Sequence, residues 1–222
     1  MEFHKKNISA KDIKAKALEL GSDLVGIADG VAVDTSRITA LDGGRVIVLA
    51  KRLNDGVARI RRWDDRHKYY NDELTLTHLE ETSLELVYWL EDCGYPAIVV
   101  PPTHVTPGSY QGDPQAHLEP LLSLPHAAVE AGLGTLGLNL QLLTPEFGPR
   151  VLLAAVLCSV DVECDKPMVE ALCKGPSCGR CLKVCPADAV QEWGRDWQSC
   201  DRYRSPHGFA QLADHLMRFA QE

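Results

Sequence analysis

Four cysteines stand close together in the segment CKGPSCGRCLKVCP, residues 173–186, and they are half of the eight cysteines in the chain. Thiols clustered in this way form disulfides in oxidising compartments and bind metals in reducing ones. The N-terminal residues contain no apolar stretch typical of a secretory signal, so we expect a cytoplasmic protein with reduced thiols. The segment therefore predicts a metal centre rather than a disulfide scaffold.

The spacing of these cysteines indicates which metal centre to expect. It is C-x4-C-x2-C-x3-C-P, whereas the bacterial ferredoxin run is C-x2-C-x2-C-x3-C-P, so two residues are inserted after the first cysteine. We predict a [4Fe–4S] cluster. Three alternatives stay open: a plant-type [2Fe–2S] cluster with Cys200 as fourth ligand, a structural zinc ion, and thiols without metal. The predicted ligands are Cys173, Cys178, Cys181, Cys185 and Cys200, with Cys158 and Cys164 as further candidates for the fourth position.

Two other segments carry residue types that could take part in chemistry. RIRRWDDRHKYY, residues 59–70, has the pattern D-x-H and is the only candidate basic patch in a chain of net charge −8. HAAVEAGLGTLGLNLQLLTPEFGPRVLLAAVL, residues 126–157, has a glycine-rich turn followed by an apolar run typical of a buried strand. Because glycine has no Cβ, such a turn lets the backbone approach either a ligand or the rest of the fold closely.

In this order, the three segments resemble the epoxyqueuosine reductases and the related cobalamin-dependent reductive dehalogenases, and the likeness covers most of the chain. The resemblance implies an α+β fold. Residues 1–165 would form a nitroreductase-like, cofactor-binding sheet domain, and residues 166–222 a small ferredoxin-like iron–sulfur module with a C-terminal helix. It also implies an oxidoreductase that passes electrons from the cluster to cobalamin, or less readily to FMN, in a pocket where a small substrate is reduced.

The resemblance assigns roles to individual residues. Asp65 takes the position of a proton donor, with His67 two residues further on. An aspartate with an ordinary pKa of about 3.9 is ionised at neutral pH, so this role requires desolvation that raises the pKa. The alternative is an aspartate that pairs with the neighbouring arginines on an exposed loop. The residues expected to contact the cofactor are Tyr69, Gly132, Leu133, Gly134, Gly137 and Asn139.

Several departures from the family pattern limit the resemblance. A second cysteine motif of the family is absent, so we expect a single cluster. Leu138 and Asn139 stand where the family has a lysine and a histidine after the glycine turn. The tRNA-binding repeats of the epoxyqueuosine reductases are also absent, and the acidic net charge offers no broad basic surface, so a tRNA substrate is not expected.

The partners expected from these observations are a small-molecule substrate or an electron-donor or electron-acceptor protein. Homodimerisation is left open, and no run of apolar residues is long enough to predict a membrane span. Two other functions compete with that of a reductase. One is a non-catalytic electron-transfer or corrinoid-handling protein that serves a partner enzyme, and the other is a protein that uses its metal only structurally. The residues do not identify the substrate.

Apolar periodicity predicts the elements that must position these residues. Ser9 and Asp12 have the spacing of a capping box, which predicts a helix over residues 9–20. Leucines at helical spacing predict a long helix over residues 71–93, and a short helix is expected at 125–134. A last amphipathic helix is expected at 209–221. The predicted strands cover residues 23–28, 45–50, 95–102 and 150–160.

Overall fold

The computed structural model describes residues 5–33, 44–59, 65–100, 122–196, 199–200 and 216–220, without the side chains of residues 58 and 65–69. The chain forms two compact units. The first comprises Met1–Thr135 and Leu142–Glu170, and the second comprises Leu136–Gln141 and Ala171–Glu222. The predicted domain limits, 1–165 and 166–222, stay a prediction.

The first unit is built on a four-stranded sheet. Its strands are β1 (Leu24–Asp29), β2 (Arg45–Arg52), β3 (Ala97–Val100) and β6 (Val151–Cys158). They lie in the order β1-β2-β6-β3, and every neighbouring pair is antiparallel. The central strands β2 and β6 each contain five consecutive buried residues, because helices cover both faces of the sheet.

Alternation along β2 divides the apolar core into two clusters. Ile47 and Leu49 belong to the cluster under α1 and α3, whereas Val46 and Val48 belong to the cluster under α4. This is the expected period of two for a strand that is covered on both faces. The helices of this unit are α1 (Ala10–Glu19), α2 (Asp55–Ala58), α3 (Asp65–Asp92) and α4 (Leu124–Glu130).

The capping box that the sequence predicts for α1 is confirmed. The hydroxyl of Ser9 accepts a hydrogen bond from the Asp12 N–H, and the Asp12 carboxylate accepts one from the Ser9 N–H at 2.8 Å. The other predicted elements of the sheet unit are present with shifted ends. The largest shift is in α3, which begins at Asp65 rather than at residue 71, so residues 65–70 are helical and do not form a loop.

The second unit contains short elements and tight turns. Gly175 and Gly179 have φ angles of 61° and 56°, in the left-handed region that favours glycine. Gly175 is the first residue of a 3-10 turn, and Gly179 immediately precedes a short α-helix. The short elements are a 3-10 turn (Gly175–Ser177), α5 (Arg180–Val184), and the paired strands β7 (Val190–Gln191) and β8 (Gly194–Arg195).

Two short strands, β4 (Thr135–Leu136) and β5 (Leu142–Leu143), form a further two-stranded sheet. The mixed α and β character of the fold is therefore confirmed, whereas the ferredoxin-like identity of the second unit stays a prediction. Of the predicted helix at 209–221, residues 216–219 are helical and most of the rest lies outside the described residues. None of the helices in the described ranges is long and apolar enough to cross a bilayer.

Candidate metal centre

The cysteine segment of the second unit directs peptide N–H groups at two of its sulfurs. The N–H of Gly175 donates to Cys173 Sγ at 3.3 Å, and the N–H of Ala189 donates to Cys185 Sγ at 3.3 Å. Such donors stabilise a negatively charged sulfur, because a hydrogen bond to the charged form of a group favours that form. The turns of the segment thus direct peptide donors at the sulfurs of Cys173 and Cys185.

The pKa of Cys185 reflects the balance between burial and peptide hydrogen bonds. Burial raises the pKa of its thiol, but hydrogen bonds from the N–H groups of Ala189, Ala187 and Val190 outweigh burial, and the pKa is lowered. The thiolate is the form of cysteine that binds metals. This observation supports Cys185, the cysteine that precedes the proline of the motif, as a ligand.

Thiols within one short segment are the residue type that holds iron–sulfur clusters, and the role of each cysteine as a ligand stays a prediction. Cys178 is exposed. No three Cys, His, Asp or Glu side chains in the described ranges are grouped as the ligands of a single ion. The thiolates of a cubane bind different irons and therefore lie farther apart than the ligands of one ion. Four predicted ligands are partly buried, namely Cys173, Cys181, Cys185 and Cys200.

The three remaining cysteines belong to the first unit. Cys158, at the end of β6, is fully buried in the core under α1 and α3, and burial raises the pKa of its thiol to about 11. Burial also raises the pKa of Cys164. Cys93 is buried immediately after the end of α3. The position and the raised pKa of Cys158 argue against its use as the fourth ligand.

The glycine-rich turn of the first unit lies against protein backbone. A Cβ at Gly132, where φ is +71°, would lie 2.6 Å from the carbonyl oxygen of Lys166. A Cβ at Gly134 would overlap the carbonyl oxygen of Leu143. Packing within the fold therefore accounts for both glycines, which was the alternative to a close approach by a cofactor.

Of the other predicted cofactor contacts, Leu133 belongs to the first unit, whereas Gly137 and Asn139 belong to the segment Leu136–Gln141 of the second unit. Leu133 is buried in the core under α4. The N–H of Gly137 donates to the carbonyl oxygen of Gln141 at 2.8 Å, and the Asn139 Oδ1 accepts a hydrogen bond from the Gln141 N–H at 3.3 Å. These bonds close that segment on itself, and contact with a cofactor stays a prediction.

The predicted catalytic residues lie at the start of α3. The backbone of Asp65, His67 and Tyr69 is helical, and the side chains of all three lie outside the described part of the structure. Gly132, Leu133 and Gly134 thus lie together in the first unit, and the cysteine segment lies in the second unit. The proton-donor role of Asp65 stays a prediction.

A polar cleft in the first unit was missed by the sequence analysis. It has a volume of about 580 Å³. Its lining comes from three separated segments, and none of its residues belongs to the basic run that begins at Arg59. The cleft is lined by Asp23, Lys51, Arg52, Asn54, Asp55, Asn71, Leu74, Thr75 and His78.

Comparison with known proteins identifies relatives among reductases, although no family model matches the chain. A tetrachloroethene reductive dehalogenase of Dehalobacter restrictus is 27% identical over 228 residues, which cover 85% of this chain and 40% of the relative. An epoxyqueuosine reductase of Bacillus cereus is 38% identical over 71 residues, which cover 32% of this chain and 18% of the relative. The chain thus spans less than half the length of either relative.

Solved structures show the same two groups. A catabolic reductive dehalogenase in complex with 3-bromo-4-hydroxybenzoic acid has a TM-score of 0.70 and 19% identity, covering 88% of this chain and 29% of its own. An epoxyqueuosine reductase has a TM-score of 0.55 and 16% identity, covering 85% of this chain and 55% of its own. The predicted resemblance to reductive dehalogenases and epoxyqueuosine reductases is confirmed, and the sheet unit resembles their folds.

Proposed function

We propose that this protein is an iron–sulfur oxidoreductase that passes electrons from a [4Fe–4S] cluster to a pocket-bound corrinoid, or less readily to FMN, and reduces a small substrate. The observation that carries the proposal is the four-cysteine segment, whose sulfurs at Cys173 and Cys185 accept peptide N–H groups. The relatives named above are reductases, which supports an oxidoreductase of this type.

The proposal gives the cysteine segment the task of holding the cluster. The thiolate ligands would be Cys173, Cys178, Cys181 and Cys185. In the [2Fe–2S] alternative, Cys200 would be the fourth ligand. The cluster, when bound, supplies single electrons. The N–H groups of Gly175 and Ala189 would donate hydrogen bonds to the ligand sulfurs of Cys173 and Cys185, and the exposure of Cys178 would leave one side of the site open to a redox partner.

The corrinoid part of the proposal rests on the likeness to the relatives. A corrinoid supplies a reducible cobalt centre close to the substrate. Gly132 and Gly134 are among the residues proposed to contact it, and at both of them an added Cβ would meet backbone atoms of the protein itself. The other proposed contacts are Tyr69, Leu133, Gly137 and Asn139, with Asp65 as the proton donor assisted by His67.

The experiment that tests the proposal is metal analysis and absorption spectroscopy of protein purified without oxygen. We expect about four iron atoms per chain and a broad visible absorption that dithionite bleaches. One zinc ion per chain in place of iron would reject the proposal and favour a structural metal. Iron without cobalt, without flavin and without turnover would favour the electron-transfer alternative. A separate corrinoid or flavin band would identify the second cofactor.

A further inference from the structure

The lining of the polar cleft contains two acids, Asp23 and Asp55, and two permanent cations, Lys51 and Arg52, in a chain whose net charge is −8. The guanidinium of Arg150 donates a hydrogen bond to the Asp55 carboxylate at 2.5 Å, and it is the main cause of the lowered pKa of Asp55. Arg59 and Arg52 lower this pKa further through their charge, so both lie within electrostatic reach of the carboxylate.

The other carboxylate that lines the cleft is also neutralised. Asp23 lies 3.5 Å from the ammonium group of Lys51 and accepts a hydrogen bond from the N–H of Arg52 at 2.9 Å. Each of the two acids in the lining is therefore paired with one cation, Asp23 with Lys51 and Asp55 with Arg150. The guanidinium groups of Arg52 and Arg59 are left over.

The N–H donors of these two guanidinium groups are not used by other groups in the described ranges. Arg52 and Arg59 are exposed, and in the described ranges neither side chain forms an ion pair or a hydrogen bond. His78 is exposed as well, and its ring lies against Gly21, where a Cβ would come within 2.6 Å of Nε2. The unused groups on this side of the cleft are thus mainly donors, and two of them are permanently charged.

We propose that this cleft binds the anionic group of a small organic molecule, a carboxylate or a phosphate, through Arg52 of its lining, with His78 and the neighbouring Arg59 as further donors. The planar fork of a guanidinium matches both groups and can bind either with two parallel hydrogen bonds. A volume of about 580 Å³ is in the usual range for a small-molecule site. All of these groups belong to the first unit, so the proposal does not depend on the iron–sulfur centre.

The test is calorimetric titration of the full chain with inorganic phosphate and with benzoate at low ionic strength. We expect saturable binding of at least one of them, and the tighter of the two identifies the anionic group. Arg52→Gln should weaken binding about tenfold or more, because it removes a charged donor. Lys11→Gln removes the same charge from the exposed surface of α1 and should leave the affinity within about twofold.

A second variant distinguishes a binding site from a cluster that only supports the fold. Asp55→Asn removes the carboxylate that competes with the ligand and releases Arg150, so it should tighten binding several-fold. A purely structural cluster would give no tightening. Absence of saturation with both anions, or equal weakening by Arg52→Gln and Lys11→Gln, would overturn the proposal. Because the titration does not need iron, a protein without a cluster would reject the proposed function and leave this result intact.

Discussion

Asp65 can donate a proton at neutral pH only if its surroundings raise its pKa. An aspartate with an ordinary pKa is ionised at neutral pH, so the proposed role requires desolvation that raises the pKa. With cluster and cofactor content unchanged, Asp65→Asn should lower the turnover of an identified substrate about a hundredfold, because the amide cannot donate an acidic proton.

The matched control for this variant is Glu73→Gln, which removes an exposed carboxylate from the same helix. It should leave turnover unchanged. If Asp65→Asn behaves like Glu73→Gln, Asp65 is not the proton donor, and the electron-carrier alternative gains support.

The assignment of the cluster ligands can be tested by comparing the iron content of a ligand variant with that of a variant at a cysteine outside the segment. Cys178→Ser should abolish the bound iron, because serine does not replace a thiolate ligand at a cluster edge. Cys93→Ala changes a buried cysteine next to the end of α3 and should leave the iron content unchanged. Iron analysis of both purified proteins provides the measurement. Full iron in the Cys178 variant, or loss of iron in the Cys93 variant, would contradict the assignment.

Cys158 makes stability depend on pH in the alkaline range. Burial holds the pKa of its thiol at about 11 in the folded protein, against an ordinary value of 9.0. The unfolded chain thus loses this proton first, and the stabilisation is complete below about pH 9 and is lost as the pH rises toward 11. From about pH 8 to about pH 10.5, the wild type should lose about 2 kcal/mol more unfolding free energy than Cys158→Ala. Urea unfolding at both pH values measures this difference, and equal losses would show that the thiol does not titrate as proposed.

At the scale of elements, a substitution in the glycine turn can distinguish a role in packing from a role in cofactor binding. Because the carbonyl oxygen of Leu143 occupies the place of a Cβ at Gly134, Gly134→Ala should lower the unfolding free energy by about 1–3 kcal/mol or more. Gly56→Ala is the matched control, since its Cβ would meet only Asn54 Oδ1 at 3.5 Å and helical alanine is favourable. A loss of cofactor affinity in Gly134→Ala without a loss of stability would favour the cofactor role instead.

The sequence predicted most elements of the sheet unit because their signals are local. Ser9 and Asp12 form the predicted capping box, and the apolar runs became strands. The start of α3 was missed because its regular leucines begin only at Leu74, beyond the charged first turns. The strand order could not be predicted, since β6 lies between β2 and β3, and these pairings join segments far apart in the chain.

The candidate sites follow the same division between local and distant signals. The cysteine motif could be found from spacing alone, because its turns are formed within one short segment. The ion pair beside the cleft could not be found in this way. Arg150 and Asp55 lie almost a hundred residues apart in the sequence, and only the fold brings them together. The sheet likewise places Cys158 in the core, where it cannot serve as an exposed ligand.

At the scale of the whole molecule, the two units differ in how much apolar core each contains. The first has two clusters, one under α1 and α3 and one under α4. In the second unit, the buried apolar residues of the described ranges are Ala189 and Val190. Burial of so few side chains contributes little stabilisation against the conformational entropy of the roughly forty residues of this unit that the structure describes. Small units of this kind usually depend on a metal or on disulfides.

We therefore expect metal binding and folding to be coupled in the second unit alone. Removal of iron by a chelator should speed amide exchange of residues 171–196 by about a hundredfold or more, because the cysteine turns lose the ligand that holds them together. Amides of β2 and β6 should keep their protection, since their hydrogen bonds lie in the covered sheet. Hydrogen exchange with mass spectrometry on the same preparation, with and without iron, measures both regions at once. Unchanged protection of residues 171–196 would show that the turns fold without metal, whereas loss of protection in β2 and β6 as well would show that the two units unfold together.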